Sequence, residues 1–340
     1  MNIAIDCRYL GKSGIGILCQ GILDNIDYSK NNYYLIGNKQ FLLQYQNAHI
    51  IENDTNPFSV KGILHFNSRE INRKCDAVII PNFLIPFGIK IPVYSVIHDL
   101  IFLDVKEAVN NKIDYLIKRF LLKRCVKKSK KIACVSEFTK SRCEFYFKKY
   151  SDKYYVNYSG ISKNLIEFKN NEHRVEKKNS IVFIGNIKRH KGIKTLLSAF
   201  SEIDNGLKLK IIGEREGFIT GLDIDEKEYA NVEFTGKLTN EELYAELESA
   251  KFLIQPSIYE GFGLPPLEAL YLGTKPIISD IDVFKEVYSD LPVAFFKVGD
   301  AADLRDKIIN ESDSVCVTEE SILKKYNLQL FTESFLRQVK

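Results

Sequence analysis

Short apolar runs alternate with longer stretches of helical periodicity along almost the whole chain. In the first half the runs predict strands at Asn2–Asp6, Ala77–Ile80, Val93–Ile97 and Lys131–Val135. In the second half they predict strands at Ser180–Gly185, Leu207–Gly213, Val232–Thr235, Phe252–Gln255 and Pro276–Ser279. Helical patterns follow most of them, as at Gly192–Ser201, Thr239–Ala250 and Pro266–Leu272. Strands that alternate with helices build βαβ units and parallel sheets, so the fold class read from the pattern is α/β with two doubly wound, Rossmann-like domains. The polar, charged stretch Phe168–Lys178 is the expected linker, dividing the chain into domains at 1–165 and 175–326 with an amphipathic helix at 327–340. Two doubly wound domains imply two sets of strand carboxyl ends facing a shared crevice, where open α/β sheets bind ligands.

Length and composition agree with this division. The 340 residues fit two domains of ordinary size, and 45% apolar with 27% charged residues is ordinary for a water-soluble protein. No apolar stretch of about 18 residues is present, so no spanning helix is expected. Met1-Asn2-Ile3-Ala4-Ile5-Asp6 reads as a first strand rather than a secretory leader. Seven cysteines with no C-x-x-C spacing argue against a zinc site or a disulfide framework, and point to reduced thiols in a cytoplasmic protein. The net charge of +4 hides an asymmetry: residues 1–164 carry 25 Lys+Arg and 14 Asp+Glu, the remainder 23 and 30. Different partners for the two halves follow. Residues 112–149 alone hold 13 basic residues and three acids. There Ile113, Leu116, Ile117 and Phe120 recur at helical spacing, with Arg119, Lys123, Lys127 and Lys130 on another face. The segment reads either as a solvated helix or as a surface for anionic lipid. No stacking aromatics follow the basic stripe, so nucleic acid is not expected.

The richest chemistry lies after the apolar run Phe252–Ile254, in Gln255-Pro256-Ser257-Ile258-Tyr259-Glu260-Gly261-Phe262-Gly263-Leu264-Pro265-Pro266-Leu267-Glu268. Gly261 and Gly263 let backbone approach a ligand closely. A proline at 265 or 266 suits the first turn of a helix, whose free N–H groups favour an anion such as a diphosphate. Glu260 is expected in the loop and Glu268 in the first helical turn. Carboxylates accept hydrogen bonds from vicinal sugar hydroxyls, so the segment is read as a site for a nucleotide sugar; a glutamate near a helix start also has a purely stabilising explanation.

This segment resembles the Glu-x(seven)-Glu signature of retaining glycosyltransferases of family 4, among the glycosyl transferases of group 1, which have the GT-B fold. Other segments carry the same resemblance. Phe183-Ile184-Gly185-Asn186-Ile187-Lys188-Arg189-His190-Lys191-Gly192 is similar to the family's glycine-then-lysine loop, which implies that Lys191 contacts the donor diphosphate. The family often has arginine where this chain has Asn186, and Arg189 or His190 could supply that charge. Tyr9-Leu10-Gly11-Lys12-Ser13-Gly14-Ile15-Gly16 resembles the first-domain glycine loop, with Gly14 and Gly16 on the donor side and Ile15 towards the acceptor. His98-Asp99, at the end of Ser95-Val96-Ile97, matches a His-Asp pair placed near the transferred sugar and acceptor. A histidine at a strand end is by itself more often structural. Gly236-Lys237-Leu238 falls where relatives hold the base, while Ser136 in Val135-Ser136-Glu137 reads as a helix cap.

The resemblance implies a retaining, metal-independent hexosyltransferase with no cofactor. Its expected partners are a nucleotide-diphosphate sugar and a glycan or lipid-diphosphate-linked acceptor, in assembly of bacterial surface polysaccharide such as O-antigen or capsule. His98, Glu260 and Lys191 are the implied catalytic residues. Donor contacts fall to Gly14, Gly16, Gly185, Asn186, Arg189, Lys191, Gly236–Leu238, Glu260–Leu264 (Gly261, Phe262 and Gly263 among them) and Glu268. Ile15, His98 and Asp99 stand on the acceptor side. The final helix is expected to cross back to the first domain, and the protein to work peripherally at the inner face of the cell membrane through residues 112–149. A nucleotide-sugar epimerase of the same fold and a non-catalytic glycosyltransferase-like subunit are the alternatives.

Overall fold

A computed structural model describes the chain except for residues 172–174, 204–205, 215–228, 230 and 315–318. Its described strands form two sheets. The first contains β1 (Asn2–Asp6), β2 (Asn32–Gly37), β3 (His49–Glu52), β4 (Ala77–Ile80), β5 (Val93–Ile97), β6 (Ser129–Cys134) and β7 (Tyr154–Val156), in the order β3-β2-β1-β4-β5-β6-β7. The second contains β8 (Ser180–Ile184), β9 (Lys208–Ile212), β10 (Val232–Gly236), β11 (Phe252–Gln255), β12 (Lys275–Ser279) and β13 (Ala294–Phe296), in the order β10-β9-β8-β11-β12-β13. Every pairing is parallel. Both sheets reverse winding direction beside their first strand, between β1 and β4 and between β8 and β11, so each is doubly wound as expected.

Central strands read as uninterrupted apolar runs because helices cover both faces of a parallel sheet. β4 and β5 are buried at every position. In the second sheet Ile181, Phe183, Phe252 and Ile254 pack with Leu196 and Phe200 of the Ile193–Ser201 helix. β2, β3, β7 and β13 lie outside the strands expected from the pattern. β7 and β13 have only three residues each, and β3 has one buried residue, so their apolar signal is weak.

The described chain divides into two compact units: Met1–Leu100 with Leu116–Ser162 and Tyr326–Lys340, and Ile101–Tyr115 with Lys163–Lys325. A domain running unbroken from 1 to 165 would have placed Ile101–Tyr115 in the first unit. That segment packs in the second, where the Tyr259 hydroxyl donates to Asp104 at 2.8 Å. The expected linker is also structured in its described parts. Residues 168–170 end the Lys163–Asn170 helix, the Phe168 ring packs on Tyr244, and Lys169 pairs with Glu248 at 2.9 Å. Lys177 donates to the carbonyls of Glu248 and Ala250 and to Thr274 Oγ1. Charge alone misread this stretch, because Lys177 donates to carbonyls and Lys169 and Lys178 pair with Glu248 and Glu246.

The last helix, Leu328–Gln338, belongs to the first unit and lies against the Ser13–Asn25 helix. Gly21 permits the close approach: a Cβ there would sit 2.3 Å from Leu328 Cδ1. The six described cysteines are free and buried. Among the described residues no helix is long and apolar enough to cross a membrane.

Candidate functional site

The second unit places its chemistry at the β8/β11 switch point. β8 ends at Ile184, and Gly185 follows with φ 149°, its N–H bonded to Ile212 O. Gly213 and Gly236, at the ends of β9 and β10, also have positive φ, and a Cβ on Gly213 would lie 2.2 Å from Gly185 O. Three glycines thus keep the strand ends bare. Asn186 is half-buried just beyond, Arg189 is exposed, and Arg189–Lys191 forms one short helical turn. Gly192 closes it at φ 70°, where a Cβ would lie 1.8 Å from Pro256 O. This contact, with Ile258 N donating to His190 O at 2.8 Å, clamps the loop after β8 to the loop after β11.

The clamp brings Lys191 to Glu260. Lys191 Nζ donates to Glu260 Oε1 at 2.7 Å, Ser257 Oγ donates to the same oxygen at 2.7 Å, and Gln255 Nε2 lies 3.5 Å away. Gln255 Nε2 also donates to Ser257 Oγ at 3.1 Å, which commits the serine proton to Glu260. All three donors address Oε1; among the described residues none reaches Oε2. Burial pushes the Glu260 carboxyl up, but the Lys191 charge and the Lys191 and Ser257 hydrogen bonds outweigh it, and the group is held below the ordinary range. Burial and the Lys191 charge push His190 down to about 4, so its ring is neutral. Ser257 and Gln255 were not among the expected site residues. A glutamine ending an otherwise apolar strand, with a serine two residues on, was the available signal.

Glu268 has the opposite environment. It is the fifth residue of the Leu264–Tyr271 helix rather than a first-turn residue, because the helix starts at Leu264 with Pro265 and Pro266 inside its first turn. Its carboxyl accepts no hydrogen bond from any described residue, and burial alone pushes it up to about 7. Gly263 caps this helix at φ 82°, and a Cβ there would lie 2.4 Å from the Phe284 ring. The glycine is therefore required by backbone conformation and packing. Gly261 and Phe262 are buried beside it. Gly236-Lys237-Leu238 precedes the Asn240–Ser249 helix, whose start is secured by a Thr239/Glu242 capping box.

In the first unit His98 follows β5, and its Nε2 lies 2.9 Å from Pro81 O, just beyond β4. A carbonyl can only accept, so Nε2 carries the proton and Nδ1 is left as an acceptor. Burial outweighs the Pro81 contact and the Asp99 charge and pushes the imidazole below its ordinary range, so the ring is neutral at neutral pH. Thr139 Oγ1 bonds to His98 O at 3.4 Å, and Ser136 Oγ accepts from Thr139 N at 3.0 Å, the cap expected there. Gly14, Ile15 and Gly16 open the Ser13–Asn25 helix, which has no side-chain cap and no acid in its first turn. Gly14 faces open space, whereas a Cβ on Gly16 would lie 2.5 Å from Tyr9 O. Beneath this loop Asp6 and Arg8 form a buried bidentate pair, Nε to Oδ1 and Nη2 to Oδ2, both at 2.8 Å. The pair was not anticipated, since its burial depends on Thr55 and Gly62, to which Arg8 Nη1 also donates. Among the described residues no group of three or more His, Cys, Asp or Glu side chains is gathered as metal ligands.

Residues 166–313, which contain the Lys191–Glu260 cluster and Glu268, match the family model of the glycosyl transferases of group 1. The segment that carries this likeness is the larger part of the second unit. The chain is 32% identical over 176 residues to the O-antigen chain mannosyltransferase RfbU of Salmonella typhimurium, a match covering 51% of this chain and 48% of that one. It is 34% identical over 103 residues to the serotype-specific mannosyltransferase WbdA of Escherichia coli, covering 30% and 12%. The chain thus spans about half the length, or less, of these two relatives. Among solved structures, sucrose-phosphate synthase from Thermosynechococcus elongatus superposes with a TM-score of 0.76 at 15% identity, covering 100% of this chain and 99% of that one. HepE of Anabaena, in complex with UDP and glucose, superposes at 0.70 and 13% identity with the same coverage. These likenesses show the fold, the two-unit α/β architecture of GT-B glycosyltransferases.

Proposed function

We propose that this protein is a retaining glycosyltransferase of family 4 that moves a hexosyl group from a nucleotide-diphosphate sugar to a glycan or lipid-diphosphate-linked acceptor. The observation that carries the reading is the Glu260 cluster: a charged carboxylate held by three donors on Oε1, with Oε2 unclaimed among the described residues, eight residues before a buried carboxylate that accepts no hydrogen bond from any of them. Vicinal hydroxyls supply the missing donors, Glu260 taking those of the donor sugar and Glu268 those of the ribose. When the diphosphate enters, Lys191 turns from Glu260 to the phosphate oxygens, and the bare strand end at Gly185 and the Gly263–Leu264 N–H groups leave room for them. Charge developing on the departing diphosphate is stabilised by these fixed groups.

Retention follows from attack on the face that the leaving group vacates. The anomeric carbon–phosphate oxygen bond breaks, the acceptor oxygen bonds to the anomeric carbon, and the acceptor proton passes to the departing phosphate oxygen. His98 Nδ1 accepts a hydroxyl hydrogen near the reaction centre, and Asp99 and Ile15 contribute to the acceptor side. The chemistry assigned to these residues calls for no metal or cofactor. RfbU, an O-antigen chain mannosyltransferase, and WbdA, a serotype-specific mannosyltransferase, make mannosyl the first group to test and support a role in bacterial surface polysaccharide assembly; with this role goes the inferred location, a cytoplasmic protein peripheral at the inner membrane face. The test is a thermal-shift panel of UDP- and GDP-sugars followed by transfer assays. One nucleotide sugar is expected to raise the midpoint, and Glu260→Ala to abolish transfer while the protein stays folded. A folded protein whose midpoint no nucleotide sugar moves would overturn the reading. Consumption of the donor without transfer would instead indicate an epimerase.

A further inference from the structure

The Lys112–Lys128 helix carries an apolar row that its own fold does not bury. Leu122, Cys125 and Val126 supply its buried side. Ile113, Leu116, Ile117 and Phe120 each remain more than half exposed, although their i, i+3, i+4, i+7 spacing puts them on one face. Singly exposed apolar side chains need no explanation, but four in a row on one helix do. The row continues towards Phe87, a further exposed aromatic, through Arg124: its guanidinium stacks on the Phe87 ring at 4.1 Å and donates to the carbonyls of Ile85 and Pro86.

The charge beside the row identifies its partner. Arg119, Lys123 and Lys127 project along one flank at spacings of four, all exposed, and none of the three forms an ion pair among the described residues. Elsewhere in the chain exposed lysines are commonly paired one turn away, as Lys74 is with Glu70 and Lys163 with Glu167. A protein partner rich in apolar side chains would account for the row but not for the uncompensated cations. A nucleic acid would account for the cations but not for the aliphatic row. An anionic bilayer surface satisfies both, because acyl chains take the apolar side chains while headgroup phosphates take the cations.

We propose that this face of the Lys112–Lys128 helix docks the protein on anionic lipid, with Leu116, Ile117 and Phe120 entering the headgroup boundary and Arg119, Lys123 and Lys127 on the phosphates. The proposal supplies the surface for the peripheral placement proposed above and rests on that reading. All six side chains are exposed, so replacing them leaves the core intact. Co-sedimentation with phosphatidylcholine vesicles, with and without phosphatidylglycerol, tests it on the full chain. Binding is expected only with phosphatidylglycerol, falling with added salt. It should weaken about fivefold for each cation replaced in Arg119→Glu, Lys123→Glu and Lys127→Glu. Leu116→Ser/Ile117→Ser/Phe120→Ser should abolish it even at low salt. Equal binding by wild type and both triple variants overturns the proposal, as does wild type that ignores anionic vesicles. A concentration-dependent dimer removed by the serine variant also overturns it, assigning the face to a second copy of the chain. Nucleotide-sugar thermal shifts on the same samples separate the two readings. A retained shift with lost vesicle binding defeats docking alone, and vesicle binding without any shift defeats the transferase reading alone.

Discussion

Each unit has an ion pair where its sheet changes direction, and the two pairs are built to opposite ends. Asp6 and Arg8, at the end of β1, are bonded at both ends of a fork, and the remaining Arg8 nitrogen is used by Thr55 and Gly62. Their side chains are 0% and 2% exposed. Lys191 and Glu260, beside β8 and β11, share one contact, keep 20% and 12% exposure, and leave Oε2 without a donor among the described residues. A saturated pair can only hold its loop in place. An unsaturated pair can exchange partners with an entering ligand at small cost, because what it loses inside is regained from the ligand. The number of unfilled positions, rather than the presence of buried charge, separates scaffold from site.

The largest test of that distinction is Asp6→Asn. Removing one member of a fully buried pair leaves an uncompensated guanidinium, and the expected loss is about 3–5 kcal/mol, read from the urea midpoint. A loss below about 1 kcal/mol would mean that Arg8 reaches water and the pair is not closed. The next effect belongs to Glu268. Its folded-state pKa, about 7, lies above the ordinary glutamate value of 4.5. Between those values the native protein keeps a proton that the unfolded chain has released, so stability falls as pH rises through this window. The total is about 3 kcal/mol, and Glu268→Gln should flatten that part of the stability profile. Glu260, held below its ordinary range, works in the other direction: its contribution is present at neutral pH and lost on acidification below about 4.5.

Third comes Glu260→Gln, where the comparison predicts a divergence between stability and activity. The amide still offers Oε1 to Ser257, and Lys191 is exposed enough to rehydrate. Unfolding free energy should fall by no more than about 1–2 kcal/mol, while transfer falls on the order of 10²-fold. A drop in stability matching that of Asp6→Asn would place Glu260 with the scaffold and undo the contrast.

How much of this was legible along the chain follows from how local each feature is. β1, β4, β5, β8 and β11 announce themselves because parallel strands covered on both faces need unbroken apolar runs. The Glu260–Glu268 segment is local too, since loop, glycine cap and helix start lie within fourteen residues. Asp6–Arg8 was invisible for the opposite reason: its burial is supplied by residues 47 and 54 positions away. The role of Gln255 and Ser257 was hidden by a similar dependence, because their orientation matters only once Gly192 has docked against Pro256. Position along the Leu264–Tyr271 helix was misjudged by one turn, since two adjacent prolines fit any of its first few positions and do not say which is first.

The smallest prediction separates the two glycines of the first-unit loop, which sequence treats alike. Gly16 is fixed by packing, as its Cβ would strike Tyr9 O at 2.5 Å, so Gly16→Ala must move backbone and destabilise. Gly14 lies in the first turn of the Ser13–Asn25 helix with open space around it and φ outside the left-handed region. On structural grounds alone Gly14→Ala should stabilise the protein by about 0.5–1 kcal/mol through the unfolded chain's lost freedom. If ligand backbone contact is the reason for glycine at 14, the same variant should show a raised melting midpoint and a weaker midpoint shift with nucleotide sugar. A more stable protein with an undiminished donor shift would leave Gly14 out of the donor site, and only Gly16 of the pair would then have a reason to be glycine.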